Sequence, residues 1–131
     1  MLYLVFCLIY QKNVYYGSKG EINMINQLVV VGRLTKDPEL RKTEAGKNVT
    51  NVTLAVPRSY KNTNGEYETD FIDCVLWSSV AETTTEYCKK GDLIGVKGRI
   101  QTRSFEKDEQ KKFVTEVVAE KVTFLSSKKQ N

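Results

Sequence analysis

Four aromatic side chains, Tyr60, Phe71, Trp77 and Phe105, are interleaved along the chain with the cations Arg58, Lys61, Lys97, Arg99 and Arg103. Rings beside guanidinium and ammonium groups suit one task well. The rings stack on unpaired nucleobases and the cations neutralise the phosphates between them. Stacking contributes about 1–3 kcal/mol per base and is indifferent to sequence, because every base has a π-face. Each neutralised phosphate makes affinity fall with salt. The residues of catalysis are scarce by comparison. Histidine is absent, which removes the usual general base, the triad imidazole and the commonest metal ligand. Cys7, Cys74 and Cys88 are odd in number and widely spaced, fitting neither a disulfide framework nor a zinc site. They are expected to be reduced thiols, two of them packed as small hydrophobes. A metal-dependent nuclease would have to use Glu68, Asp70 or Asp73. These acids do not share a strand face throughout, and no phosphate-binding motif accompanies them. A binding protein without metal, cofactor or catalytic residues is the expectation. A purely structural subunit with no nucleic-acid role is the blander alternative.

The chain has 131 residues, 40% hydrophobic and 27% charged, with a formal charge of +4. That suits one soluble domain with one core. The charge permits an anionic partner without requiring one, so the placement of the cations matters more than their sum. The apolar opening, Met1 to Tyr10, is ten residues long, about half of the ~20 needed to span a bilayer. Its first basic residue, Lys12, follows the apolar run instead of preceding it, unlike a secretory signal. No membrane association is expected, and the cytoplasm is the expected compartment. Met24 stands just before the first convincing strand. Lys19-Gly20-Glu21 can be encoded by a purine-rich stretch resembling a ribosome-binding site. Met24 is therefore read as the natural start, and residues 1–23 as upstream-translated sequence. A genuine N-terminal strand or interfacial anchor is the alternative. The domain is expected over residues 24–125, with 126–131 a short, loose polar tail.

The elements that must position the rings and cations are mostly strands. Leu28 to Leu34 is a β-branched run in which Gly32 marks a bend. A second strand covers about Val49 to Val56, and Pro57 weakens its ladder. Asn64-Gly65 signals a hairpin. A third strand, Thr69 to Trp77, alternates with period two, so Ile72, Cys74 and Leu76 face the core. Phe71, Asp73, Val75 and Trp77 face the other way. A helix is expected over Val80 to Lys90, with capping-box spacing at Ser79 and Glu82, Lys89 and Lys90 at its negative end and Gly91 as its stop. Its packing stripe is Val80, Thr84, Tyr87 and Cys88. The fourth strand, Leu93 to Phe105, sends Ile94, Val96, Gly98 and Ile100 inward. Lys97, Arg99, Gln101, Arg103 and Phe105 point outward. A turn near Asp108-Glu109 leads to a fifth strand, Phe113 to Phe124. Five strands with one helix between the third and fourth is an all-β layout, that of the OB-fold, a small Greek-key barrel. Asp73, on the aromatic face, would repel phosphate unless something pairs with it.

From Met24 onward the chain resembles the bacterial single-stranded-DNA-binding proteins. The matching stretches are Leu28 to Leu34 (LVVVGRL), Lys36 to Arg41 (KDPELR), Val52 to Val56 (VTLAV), Ala81 to Gly91, Gly98 to Arg103 (GRIQTR) and Thr115 to Val118 (TEVV). The resemblance implies an OB-fold, usually a homotetramer, wrapping single-stranded DNA in replication, repair, recombination or DNA uptake. It implies stacking by Tyr60, Phe71, Trp77 and Phe105, and adds Arg41 and Lys90 to Lys61 and Arg103 as phosphate-binding positions. Gln101, Ser79 and Ser104 stand where some relatives carry cations, so fewer phosphate contacts are expected. Many relatives continue into a flexible linker with an acidic tip that recruits other enzymes, whereas this sequence ends on Lys128-Lys129-Gln130-Asn131. Tail-mediated recruitment is therefore not expected, which suits an accessory copy. A primosome-type adaptor, binding DNA and a helicase-loading protein on the same barrel, is the alternative.

Overall fold

The computed structural model describes residues 25–126. The readings of residues 1–23 and of positions 127–131 lie outside the described residues. Six strands and one helix follow in order: β1 (Leu28–Leu34), β2 (Arg41–Lys42), β3 (Asn48–Lys61), β4 (Tyr67–Trp77), α1 (Ser78–Tyr87), β5 (Leu93–Lys107) and β6 (Gln110–Ser126). The two-residue β2 was not foreseen, and it shifts the numbering of the later strands by one.

The sheet order is β1-β5-β6-β4-β3-β2, and a further pairing of β1 with β3 closes five of the strands into a barrel. β1 makes this closure by changing partners. Leu28 to Arg33 pair with β5, and Arg33 and Leu34 pair with β3. Gly32 sits at the crossing, where a Cβ would lie 2.8 Å from the Ala55 carbonyl oxygen and 2.9 Å from Val56 Cγ2. A side chain there would force the two strands apart. Gly98 serves the same purpose on β5, where a Cβ would meet the Val118 carbonyl oxygen at 2.1 Å. The β5–β6 register slips at that point, from Lys97 opposite Lys121 to Gly98 opposite Ala119. Such a bulge increases the local bend that closure needs.

The barrel interior follows the alternation. Leu34, Val52, Leu54, Cys74, Leu76, Ile94, Val96, Val117 and Ala119 form one buried cluster. Ala81 of α1 and Cys88 just beyond its end join that cluster, so the helix packs against the core through its small residues. Burial raises the Cys74 thiol pKa to about 12 and that of Cys88 to about 11, with nearby Asp73 and Asp92 adding to the effect.

Four local expectations need correction, the first being that Tyr87 of the expected packing stripe is exposed instead, leaving Ala81 and Thr84 as the buried helix residues. Ile100 does not face the core but is 49% exposed. β1 pairing ends at Leu28 opposite Gly98, so beyond the bulge β5 has only β6 beside it and no strand to cover Ile100. The helix runs Ser78–Tyr87 and its N-cap makes no side-chain hydrogen bond. Glu82 does not complete a capping box; its Oε1 instead accepts from Asn48 Nδ2. Lys89 and Lys90 lie past the helix, where their backbone N–H groups donate to Asp92 Oδ2 (2.8 Å) and Asp37 Oδ1 (2.7 Å). Two carboxylates thus satisfy donors that a longer helix would have used internally.

Candidate nucleic-acid interface

β3 and β4 lie side by side with Val49 opposite Trp77, Asn51 opposite Val75, Thr53 opposite Asp73 and Ala55 opposite Phe71. Period-two alternation therefore places Phe71, Asp73, Val75 and Trp77 in one row outside the barrel. Val75 is nonetheless buried, because it packs with Val49 and Val118 in a second small apolar cluster. That cluster gives the outer face a firm floor.

A groove of about 480 Å³ opens over this floor, its lining including Arg41, Asn51, Trp77, Gln101, Arg103 and Glu116. Trp77 is 39% exposed, enough to offer part of its ring while the remainder is packed. A second depression of about 310 Å³ is lined by Phe71, Asp73, Ile100 and Glu116 among others. Phe71 is 67% exposed. Glu116 belongs to both linings and so stands between them.

β5 and β6 supply the outer wall. Past Gly98 and Val117 they pair only with each other, and a two-residue turn joins them, Asp108 and Glu109 both having φ near +60° (54° and 60°). This is the geometry of tight hairpins. Phe105 stands on this hairpin opposite Lys112. The Arg103 guanidinium lies 5.8 Å from the Phe105 ring centroid, within cation–π range. Arg103 Nε also donates to Glu116 Oε1 at 3.1 Å. Arg99 Nη1 donates to Gln101 Oε1 at 3.0 Å.

The other candidate residues are distributed differently. Tyr60 is exposed near the end of β3, and Lys61 pairs with Tyr67 on β4, its Nζ 5.5 Å from that ring's centroid. They extend the β3–β4 face beyond Phe71 but line neither depression. Arg58 is already partnered. Its Nε and Nη2 donate to Asp70 (3.1 and 2.9 Å) and its Nη1 to Glu68. The hydrogen bond to Asp70 raises the Arg58 pKa further, and the same bond holds the Asp70 carboxyl below the usual range. Asp73 is paired with a hydroxyl and not a cation, Thr53 Oγ1 donating to its Oδ1 at 2.8 Å. Lys90 lies in the loop after α1, and Lys97 lies between Val29 of β1 and Lys121 of β6. Neither lines the groove. Sequence reasoning missed Lys42, Asn51 and Glu116, all of which do.

A closed five-strand barrel with one helix, whose β3–β4 face is flanked by the β1–β3 connection carrying β2 and by a long hairpin, is an OB-fold, the barrel class that takes oligonucleotides and oligosaccharides on that face. The family model of the single-strand binding protein family matches residues 25–125, and the chain belongs to that family. It is 57% identical over 106 residues to single-stranded DNA-binding protein B of Bacillus subtilis, covering 80% of this chain and 94% of that one. Identity to single-stranded DNA-binding protein 2 of Listeria monocytogenes is 55% over 109 residues, 82% of this chain and 68% of the relative. For single-stranded DNA-binding protein 3 of Listeria innocua it is 57% over 106 residues, 80% and 66%.

Proposed function

We propose that this protein binds single-stranded DNA without sequence preference and without chemistry, protecting it in replication, repair, recombination or DNA uptake. The strand lies across the groove at Trp77, past Glu116 to Phe71, and out to Phe105 on the hairpin. The observation that carries this is the floor of the face: Trp77 and Phe71 project from one β4 row, with Arg41 and Arg103 lining the groove beside Trp77. Tyr60 and Lys61 continue the track along β3, and Arg99 borders it on β5. Lys90 and Lys97 serve strand leaving the groove. Arg58 contributes least, since two carboxylates already match its charge.

The working form is a homo-oligomer, a tetramer of the family type. Val29 and Val31 are exposed on the outside of β1. Its first residues, Leu28 to Gly32, pair with β5 on one side, and among the described residues no strand pairs with their other edge. An apolar strand with a free edge is an aggregation hazard unless a partner covers it, and a second copy does so by symmetry. The protein acts in the cytoplasm; no helix among the described residues is long and apolar enough to cross a membrane.

Titration with oligo-thymidine tests the reading directly, because Trp77 is the sole tryptophan. Its fluorescence should quench on saturation at low salt, and duplex DNA should compete poorly. Absence of binding to poly-thymidine at low salt would remove the proposed role. Light scattering of the free protein tests the tetramer.

A further inference from the structure

Glu116 is out of place in a surface meant for phosphates. Its side chain is 10% exposed, yet it lines both the Trp77 groove and the Phe71 depression. Its position is set by the hairpin, which puts Glu116 opposite Gln101 and Val114 opposite Arg103. Arg103 reaches diagonally across the ladder, and its Nε meets Glu116 Oε1 at 3.1 Å. Only one of the five guanidinium donors is used by that bond. The outer nitrogens stay available, and the half-exposed Arg103 carries them over the Phe105 ring.

We infer that Glu116 is a resident counter-ion, which orients Arg103 and limits how strongly the groove grips the DNA backbone. The inference rests on the strand path proposed above. A nearly buried carboxylate is poorly solvated, so parting it from its cation is unfavourable. Arg103 therefore keeps Glu116 when DNA arrives and offers phosphate only its outer nitrogens. Two consequences follow. Arg103 is delivered in one orientation, so less side-chain freedom is lost on binding. Its charge is largely matched before DNA arrives, so less counterion is released when a phosphate docks. A protein that must yield the strand to other machinery gains from both, since contact geometry is kept while grip is moderated.

The size of the effect can be set in advance. A phosphate on the outer nitrogens of Arg103 stands roughly 6–7 Å from the Glu116 carboxylate, two hydrogen-bond lengths away. Repulsion at that distance across a wet surface, with an effective dielectric between that of water and a protein edge, corresponds to about three- to tenfold in affinity. Glu116→Gln removes the charge and keeps an acceptor for Arg103 Nε. It should tighten oligo-thymidine binding about three- to tenfold in 50 mM salt. The plot of log affinity against log salt should steepen by about 0.7, the single-strand value for one added phosphate contact. Glu116→Asp restores the charge and should restore the shallow slope, and thermal melts establish that both variants fold. Unchanged or weaker binding by Glu116→Gln with an unaltered slope overturns the counter-ion role while leaving the strand path standing. Loss of binding by the wild type overturns both.

Discussion

Trp77→Ala tests the path at its centre. Trp77 closes β4, faces Val49 across the ladder and leaves 39% of its surface open to the groove. Two quantities change on truncation. The packed part of the ring covers about 100–150 Å² of apolar surface, worth about 2.5–4 kcal/mol of folding stability at the usual 25 cal/mol per Å². The open part loses a stacked base, about 1–3 kcal/mol of binding, or about 5- to 150-fold in affinity. Because the variant has no tryptophan, affinity is best read by anisotropy of a dye-labelled 35-mer of thymidine. Urea melts followed by far-UV circular dichroism report the folding cost separately. Trp77→Phe separates the two effects, since a smaller ring still stacks; it should bind within a few-fold of wild type. If the alanine variant folds and binds as tightly as wild type, the groove is not where bases stack.

Other outcomes follow from geometry already described. In the Glu116→Gln background, where no carboxylate offsets that cation, Arg103→Ala should flatten the salt dependence by about 0.7, whereas Arg58→Gln should leave the slope unchanged, because Asp70 and Glu68 already match its charge. Matched salt titrations compare the two, and equal slopes would refute the distinction. Gly98→Ala places a methyl group 2.1 Å from the Val118 carbonyl oxygen; a loss of about 3 kcal/mol or more is expected, lowering the melting temperature by more than about 10 °C. With the Cys74 thiol at about 12 and Cys88 at about 11, iodoacetamide at pH 8 should modify neither in the folded protein and both in urea, as read by peptide mapping. These thiols stay neutral in the native state while an unfolded chain ionises them, so stability should decline as pH rises from about 9 towards 12.

Strand identity and facing were legible because they depend on the nearest neighbours. Ile72, Cys74 and Leu76 alternate with Phe71, Asp73 and Trp77, and that pattern alone sorted the inner from the outer side of β4. The failures needed information from distant residues. Ile100 reads as core by parity with Ile94 and Val96, yet only the end of β1 pairing determines whether anything covers it. Ser79 and Glu82 have the right spacing for a cap, but Asn48, far away in sequence, takes the carboxylate. Arg58 looked like a free cation until Asp70 and Glu68 were placed beside it by the β3–β4 pairing. Glu116 was accessible in principle. Taking Asp108-Glu109 as a two-residue turn fixes Lys107 opposite Gln110 and, six steps back, Gln101 opposite Glu116. Reading that turn loosely left the strand two-sided and the carboxylate unassigned.

The closure through β1 also shapes how the chain is made. Leu28 pairs with Gly98, so β1, the first of the described strands to leave the ribosome, waits for a partner some seventy residues behind it. At typical elongation rates that is about 4–14 s, far longer than a hairpin such as β3–β4 needs to form. The hairpin of β3 and β4 can therefore assemble during synthesis, while the apolar β1 stays unclaimed and open to chaperones. Substitutions such as Gly32→Ala, which hinder the final crossing, should reduce soluble yield in the cell more than they slow refolding of the finished chain.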